Sequence, residues 1–88
     1  MKKLLLLLLI VPVLGFGQTA KQYFDLGFEK FDEEKPYEAI TLFTKAIEEK
    51  PDYHEAYNFR GLAKIGVTDY YSAISDFRKA IQFGPNIE

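Results

Sequence analysis

The chain has 88 residues, of which 48% are apolar and 27% charged, with a formal net charge of −2 and no cysteine. This length gives room for one small domain, and the composition excludes a disordered polymer. The missing cysteine excludes disulfides, thiolate metal sites, a thiol nucleophile and a lipobox-type lipid anchor, and the basic residues are interleaved with acids, so no nucleic-acid partner is expected.

Met1-Lys2-Lys3 and the apolar run 4–14 read as the n-region and h-region of a secretory leader. Pro12 and Gly15 break the run, and Gly15-Phe16-Gly17 offers small residues at −3 and −1 before Gln18. Cleavage is expected after Gly17, with Ala20 as the second site, and the product would be exported to the periplasm or secreted from a bacterial envelope. The alternative is an uncleaved anchor, which would be the chain's one attachment to a membrane. Residues 4–17 fall short of the roughly 20 needed for a spanning helix, which weighs against it. Without residues 1–17 the chain keeps nine basic and thirteen acidic residues, a net −4. A folded part of this size sits where one core rarely supplies more than about 3–5 kcal/mol.

Thr19-Ala20-Lys21-Gln22 has capping-box form and should open a first helix running to about residue 33. Tyr23, Leu26, Gly27, Lys30 and Phe31 recur on one face of it, and the apolar members make a buried stripe. Gly27 is costly in a helix, by about 1 kcal/mol against alanine, so its absent side chain should serve the close approach of a neighbour. Lys35-Pro36 interrupts this helix and starts a second, residues 36–49, with Ala39, Ile40, Phe43, Ala46 and Ile47 inside. After Pro51, Asp52-Tyr53-His54-Glu55 repeats the capping-box pattern and opens a third helix to about Ile65, for which Gly66 is the expected C-cap. Asp69 should cap a fourth, residues 70–83, closed by Gly84-Pro85. No alternating strand pattern competes with these four helices.

Residues 39–47, Ala-Ile-Thr-Leu-Phe-Thr-Lys-Ala-Ile, return 34 residues later as Ala-Ile-Ser-Asp-Phe-Arg-Lys-Ala-Ile, residues 73–81. Residues 20–53 and 54–87 align without a gap at 11 identities in 34, among them Tyr23/Tyr57, Gly27/Gly61, Lys30/Lys64, Tyr37/Tyr71 and Pro51/Pro85. Ordinary residue frequencies would give roughly two by chance. A fixed period of this length marks a repeat protein. The expected organisation is a signal peptide, 1–17, followed by two helical repeats within 18–88.

An aromatic-x2-Leu-Gly pair, then Ala-x3-Phe-x2-Ala and a closing proline, resembles the tetratricopeptide repeat. Tyr23, Leu26, Gly27, Ala39, Phe43, Ala46 and Pro51 fill these slots in the first copy, and Tyr57, Gly61, Ala73, Phe77, Ala80 and Pro85 in the second, with Asp69-Tyr70 at the usual turn. The resemblance covers essentially all of 20–87. It implies an all-α fold, two tandem helix–turn–helix units forming a fragment of a right-handed α-solenoid, and a role in binding a protein or peptide partner. The pattern is broken by Arg60 in the leucine slot, and by Lys30 and Lys64 where tyrosine is usual, beside Phe31 and Ile65.

Repeat stacks normally need about three units and a polar terminal cap. Ile74, Ile81 and Phe83 would have no cover after the second repeat, so either the chain is part of a longer array or a second copy or partner covers this end. Homo-oligomers are thus one possibility.

No catalytic constellation stands out. His54 is the single histidine, at a helix start where a solvated residue is ordinary. Glu33-Glu34 and Glu48-Glu49 are read as solvated helix ends rather than paired catalytic carboxylates. No GxGxxG, P-loop or GxSxG motif occurs. Neither an enzyme activity nor a metal or other cofactor is expected. Phe24 and Phe28 lie four apart, one position off the core stripe of the first helix. The family resemblance places Lys21, Phe24 and Phe28, with Glu55, Asn58 and Leu62 of the second copy, in a concave peptide groove; packing of the two phenylalanines beneath the leader-proximal segment or against a second copy is the alternative. With Phe24 and Phe28 there, a carboxylate-clamping groove of the kind known in the family is not expected.

Overall fold

A computed structural model describes residues 18–85. The signal-peptide expectation on residues 1–17, and the last two residues of the second repeat, lie outside the described residues. Four helices follow in order: α1 (Ala20–Asp32), α2 (Pro36–Glu49), α3 (His54–Gly66) and α4 (Tyr70–Phe83). The described residues contain no strand. α1 packs along α2 and α3 along α4, and the two pairs join mainly through α2 and α3. The all-α arrangement of two adjacent helix pairs is therefore the one the 34-residue period requires.

The first cap forms as expected: Thr19 Oγ1 accepts the Gln22 backbone N–H at 3.2 Å, and the Thr19 N–H donates to Gln22 Oε1 at 2.8 Å. The second capping box does not form. Tyr53, not Asp52, is the N-cap of α3 and no side chain caps that end; Asp69 is the N-cap of α4 but makes no side-chain cap bond either.

Gly66 is not the C-cap of α3, because the helix continues through it to a C-cap at Val67. The left-handed residue that ends the helix is Thr68, φ 64°, and its counterpart after α1 is Glu34, φ 60°. Around each, the same pair of bonds recurs: Lys35 N–H to Lys30 O and Glu34 N–H to Phe31 O, then Asp69 N–H to Lys64 O and Thr68 N–H to Ile65 O. These are Schellman closures built without glycine. Neither Glu34 nor Thr68 announces one in the sequence.

The core is narrow. Ala39, Phe43, Ala46, Ala56, Tyr57, Ala63 and Ala73 are its buried apolar residues. Gly27 and Gly61 have the role expected of them: a Cβ on Gly27 would lie 2.8 Å from the Phe43 ring, and one on Gly61 would lie 2.7 Å from the Phe77 ring. Each phenylalanine ring occupies the space left by the missing side chain. Tyr57 also ties α3 to the preceding turn, donating its hydroxyl to Pro51 O at 2.9 Å.

The second unit contains a buried ionic network. The Asp76 carboxylate, 3% exposed, receives Arg60 Nε at 2.8 Å and Arg60 Nη2 at 2.6 Å, with Lys64 Nζ at 2.9 Å. Arg60 Nη1 also donates to Thr44 Oγ1 at 3.1 Å, and Lys64 Nζ to Ser72 Oγ at 2.6 Å. Burial pushes the Asp76 pKa up, but the hydrogen bonds and charges of Arg60 and Lys64 outweigh it and hold the carboxyl below its ordinary range. Arg60 and Lys64, two departures from the repeat pattern, are thus joined on one carboxylate, and the network links α2, α3 and α4.

Candidate protein-interaction surfaces

The expected groove residues divide among three places. Lys21, Phe24 and Glu55 line one hollow together with Ala20, Lys50 and Tyr53. Its apolar wall is the Phe24 ring stacked on Tyr53 at 5.2 Å between centroids, and the Lys50 ammonium lies 5.0 Å from the Tyr53 ring. Lys21 pairs with Asp25 one turn on, at 3.1 Å in full solvent, where such a pair contributes little. Phe24 belongs partly to the scaffold, because it also meets Phe43 at 5.6 Å and Phe59 at 5.9 Å and packs on the core.

Phe28 and Leu62, equivalent positions 34 residues apart, remain 42% and 38% exposed. Phe28 meets Phe31 at 6.3 Å, and Phe31 and Leu62 line a second hollow with Pro36, Ala63 and Gly66. An apolar ribbon therefore runs from Phe28 over Phe31 to Leu62 across the first helices of the two units. Asn58 lies elsewhere, in a hollow shared with Phe77, Ala80 and Ile81 and rimmed by His54 and Glu55.

The outer face of α4 is the second surface. Ile74 is 47% exposed and Ile81 80%. Phe83 parts from them: it is half-buried, with its ring 5.7 Å from Tyr57 and the Lys79 ammonium 5.6 Å above it. Tyr71, 90% exposed, takes the place expected of Phe83 on the open face.

Over 68 residues the chain is similar to the human protein named Protein SGT1 homolog. The identity is 31%, and the match covers 77% of this chain but 19% of that protein, so the chain spans about a fifth of the length of the curated relative it matches. No protein-family model matches the chain. This similarity and the two packed helix pairs fit a helical-repeat protein.

Sequence reasoning missed two residues of consequence. Phe59 is the centre of the aromatic cluster, 5.1 Å from Phe28, 5.7 Å from Phe31 and 6.3 Å from Phe43. Its counterpart in the first repeat is the exposed Asp25, so self-alignment hides it. Asp76 was legible in principle, since Leu26 and Leu42 of the first copy are replaced together by Arg60 and Asp76 in the second.

Proposed function

We propose that the chain is an exported, non-enzymatic tetratricopeptide-type module that holds a peptide segment of a partner protein across the first helices of its two repeats. The observation that carries this reading is the pair Phe28 and Leu62: equivalent positions on α1 and α3, each left about two-fifths exposed and bridged by Phe31. Contiguous apolar surface edged by charge suits an extended or helical peptide with apolar anchors and a polar flank. Export rests on the basic and apolar pattern of residues 1–17. The cap made by Thr19 and Gln22 supports cleavage after Gly17, since the first helix is closed by residues that such a cut retains. Intact-mass measurement of protein recovered from the envelope should then give a species beginning at Gln18.

The binding face is tested with Phe28→Lys combined with Leu62→Lys. Both side chains are exposed enough for the fold to survive. A partner that co-purifies with the unaltered protein from its own cells should be lost, with the thermal midpoint within a few degrees; retention of the partner would contradict the groove.

A second reading, an assembly piece working through α4, is favoured by the exposure of Tyr71, Ile74 and Ile81.

A further inference from the structure

The chain contains a template for what covers α4. On the first repeat, α3 is seated by Ala56, Phe59 and Ala63, three residues of one helical face, with Phe59 inserted among Phe24, Phe28, Phe31 and Phe43. Beside Phe59, Arg60 reaches Thr44 of α2 at 3.1 Å. Moved on by 34 residues, the seat for the aromatic ring is Asn58, Leu62, Ile65 and Phe77, and the residue in the place of Thr44 is Arg78. Among the described residues nothing fills that translated seat. Leu62 and Ile65 are exposed, Phe77 is half-buried where Phe43 is fully buried, and a hollow lies between Asn58, Phe77, Ala80 and Ile81.

The charge differs between the two seats. The solvent face of α4 carries Arg78 and Lys79, and its one acid, Asp76, is buried and paired. Where the first seat presents a hydroxyl to an arginine, the second presents a cation, whose complement is a carboxylate. A second copy docking head to tail does not meet this requirement. It would present Gln22, Asp25, Leu26 and Glu29 in place of Ala56, Phe59, Arg60 and Ala63, putting the Asp25 carboxylate into the aromatic seat.

We propose that the α4 face receives an amphipathic helix of a partner protein, with the frame Ala-x2-Phe-x3-Ala and an acidic residue directly after the phenylalanine, paired with Arg78. The phenylalanine fills the hollow beside Phe77, the two alanines let the helix lie close over Ile74 and Ile81, and the acid fixes its register. This deepens the assembly reading; the seat shares Leu62 with the groove on α1 and α3, and its distinguishing residues, Phe77, Arg78 and Ile81, lie on α4.

The test is titration of the isotope-labelled full chain with two synthetic peptides, one copying residues 52–67 with Arg60→Glu and the other copying them unchanged. The acidic peptide should bind saturably, shift the amide resonances of Ile74, Phe77 and Ile81, and bind about tenfold more tightly than the unchanged peptide, as for a partly desolvated ion pair. In Arg78→Glu protein the preference should invert, and Ile81→Asp should abolish binding of either. Equal affinity for both peptides, no saturable shift, shifts confined to α1, or a free chain already dimeric through α4 would each overturn the proposal. Failure here leaves the Phe28–Leu62 groove untouched, because its variants lie on other helices.

Discussion

Arg60 and Asp76 stand where the first repeat has Leu26 and Leu42, and their side chains meet in a two-pronged ion pair at 2.6 and 2.8 Å. One apolar pair has been exchanged for one charged pair between two copies of the same unit. A buried ion pair gains its Coulomb energy against a large desolvation cost, so it need not be more stable than leucines would be. Breaking it from one side is different, because a charge is then left buried without its partner.

Asp76→Leu alone and Arg60→Leu alone should therefore each destabilise the fold, by about 3–5 kcal/mol for the aspartate, which strands both Arg60 and Lys64. The double variant, which restores the leucines of the first repeat but still leaves Lys64 without its carboxylate, should lose clearly less than the sum of the two single losses. Urea unfolding of the three variants measures this. Additive losses would show that the two side chains do not act as a pair.

The same carboxylate sets an acid limit. Its folded pKa lies below the value of about 3.9 in an unfolded chain, so its stabilisation is complete above that pH and disappears as pH falls through the folded pKa. Stability followed by circular dichroism should fall below about pH 4, and Asp76→Asn should flatten that fall while lowering stability at neutral pH. An unchanged acid profile in the variant would assign the limit to other carboxylates.

Gly27 and Gly61 face phenylalanine rings at nearly the same distance, but the rings differ in freedom. Phe43 is 0% exposed and enclosed on all sides, whereas Phe77 borders the open hollow. Gly27→Ala should cost about 1–2 kcal/mol after the helix-propensity gain, while Gly61→Ala should be close to neutral because Phe77 can tilt outward. Thermal unfolding of the pair should rank them in that order.

The two non-glycine left-handed residues offer a gain. Thr68, β-branched at φ 64°, is the more strained of the two, and Thr68→Gly should stabilise by about 0.5–1 kcal/mol, with Glu34→Gly giving less. Chemical denaturation measures the difference. A loss at Thr68 would mean that its hydroxyl bond to Val67 O, 2.6 Å, outweighs the strain.

The helices and their pairing were legible in the sequence because the 34-residue period sets them twice over, and Pro36 and the Thr19 cap mark boundaries by chemistry that survives tertiary packing. The helix ends were less legible. Gly66 and Asp52 have the right residue types, yet the C-cap falls one step later at Val67, with the left-handed residue at Thr68, and the N-cap falls one step later at Tyr53. On the surfaces, Phe28 and Leu62, placed by the family resemblance, are exposed, whereas alignment of the copies conceals Phe59, and Phe83, expected on the open end, is half-buried. Both positions depend on what the neighbouring helices present, and α3 and α4 do not have the same neighbours as α1 and α2.

Photo-crosslinking in the protein's own cells tests the interaction reading most directly, with a photoreactive residue placed in turn at Phe28, at Leu62 and at Glu48, an exposed position on α2. A discrete adduct with the same partner protein from positions 28 and 62, absent from position 48, is the expected result. Equal labelling from all three positions, or no adduct from 28 and 62, would contradict a peptide-binding role for the first helices of the two repeats.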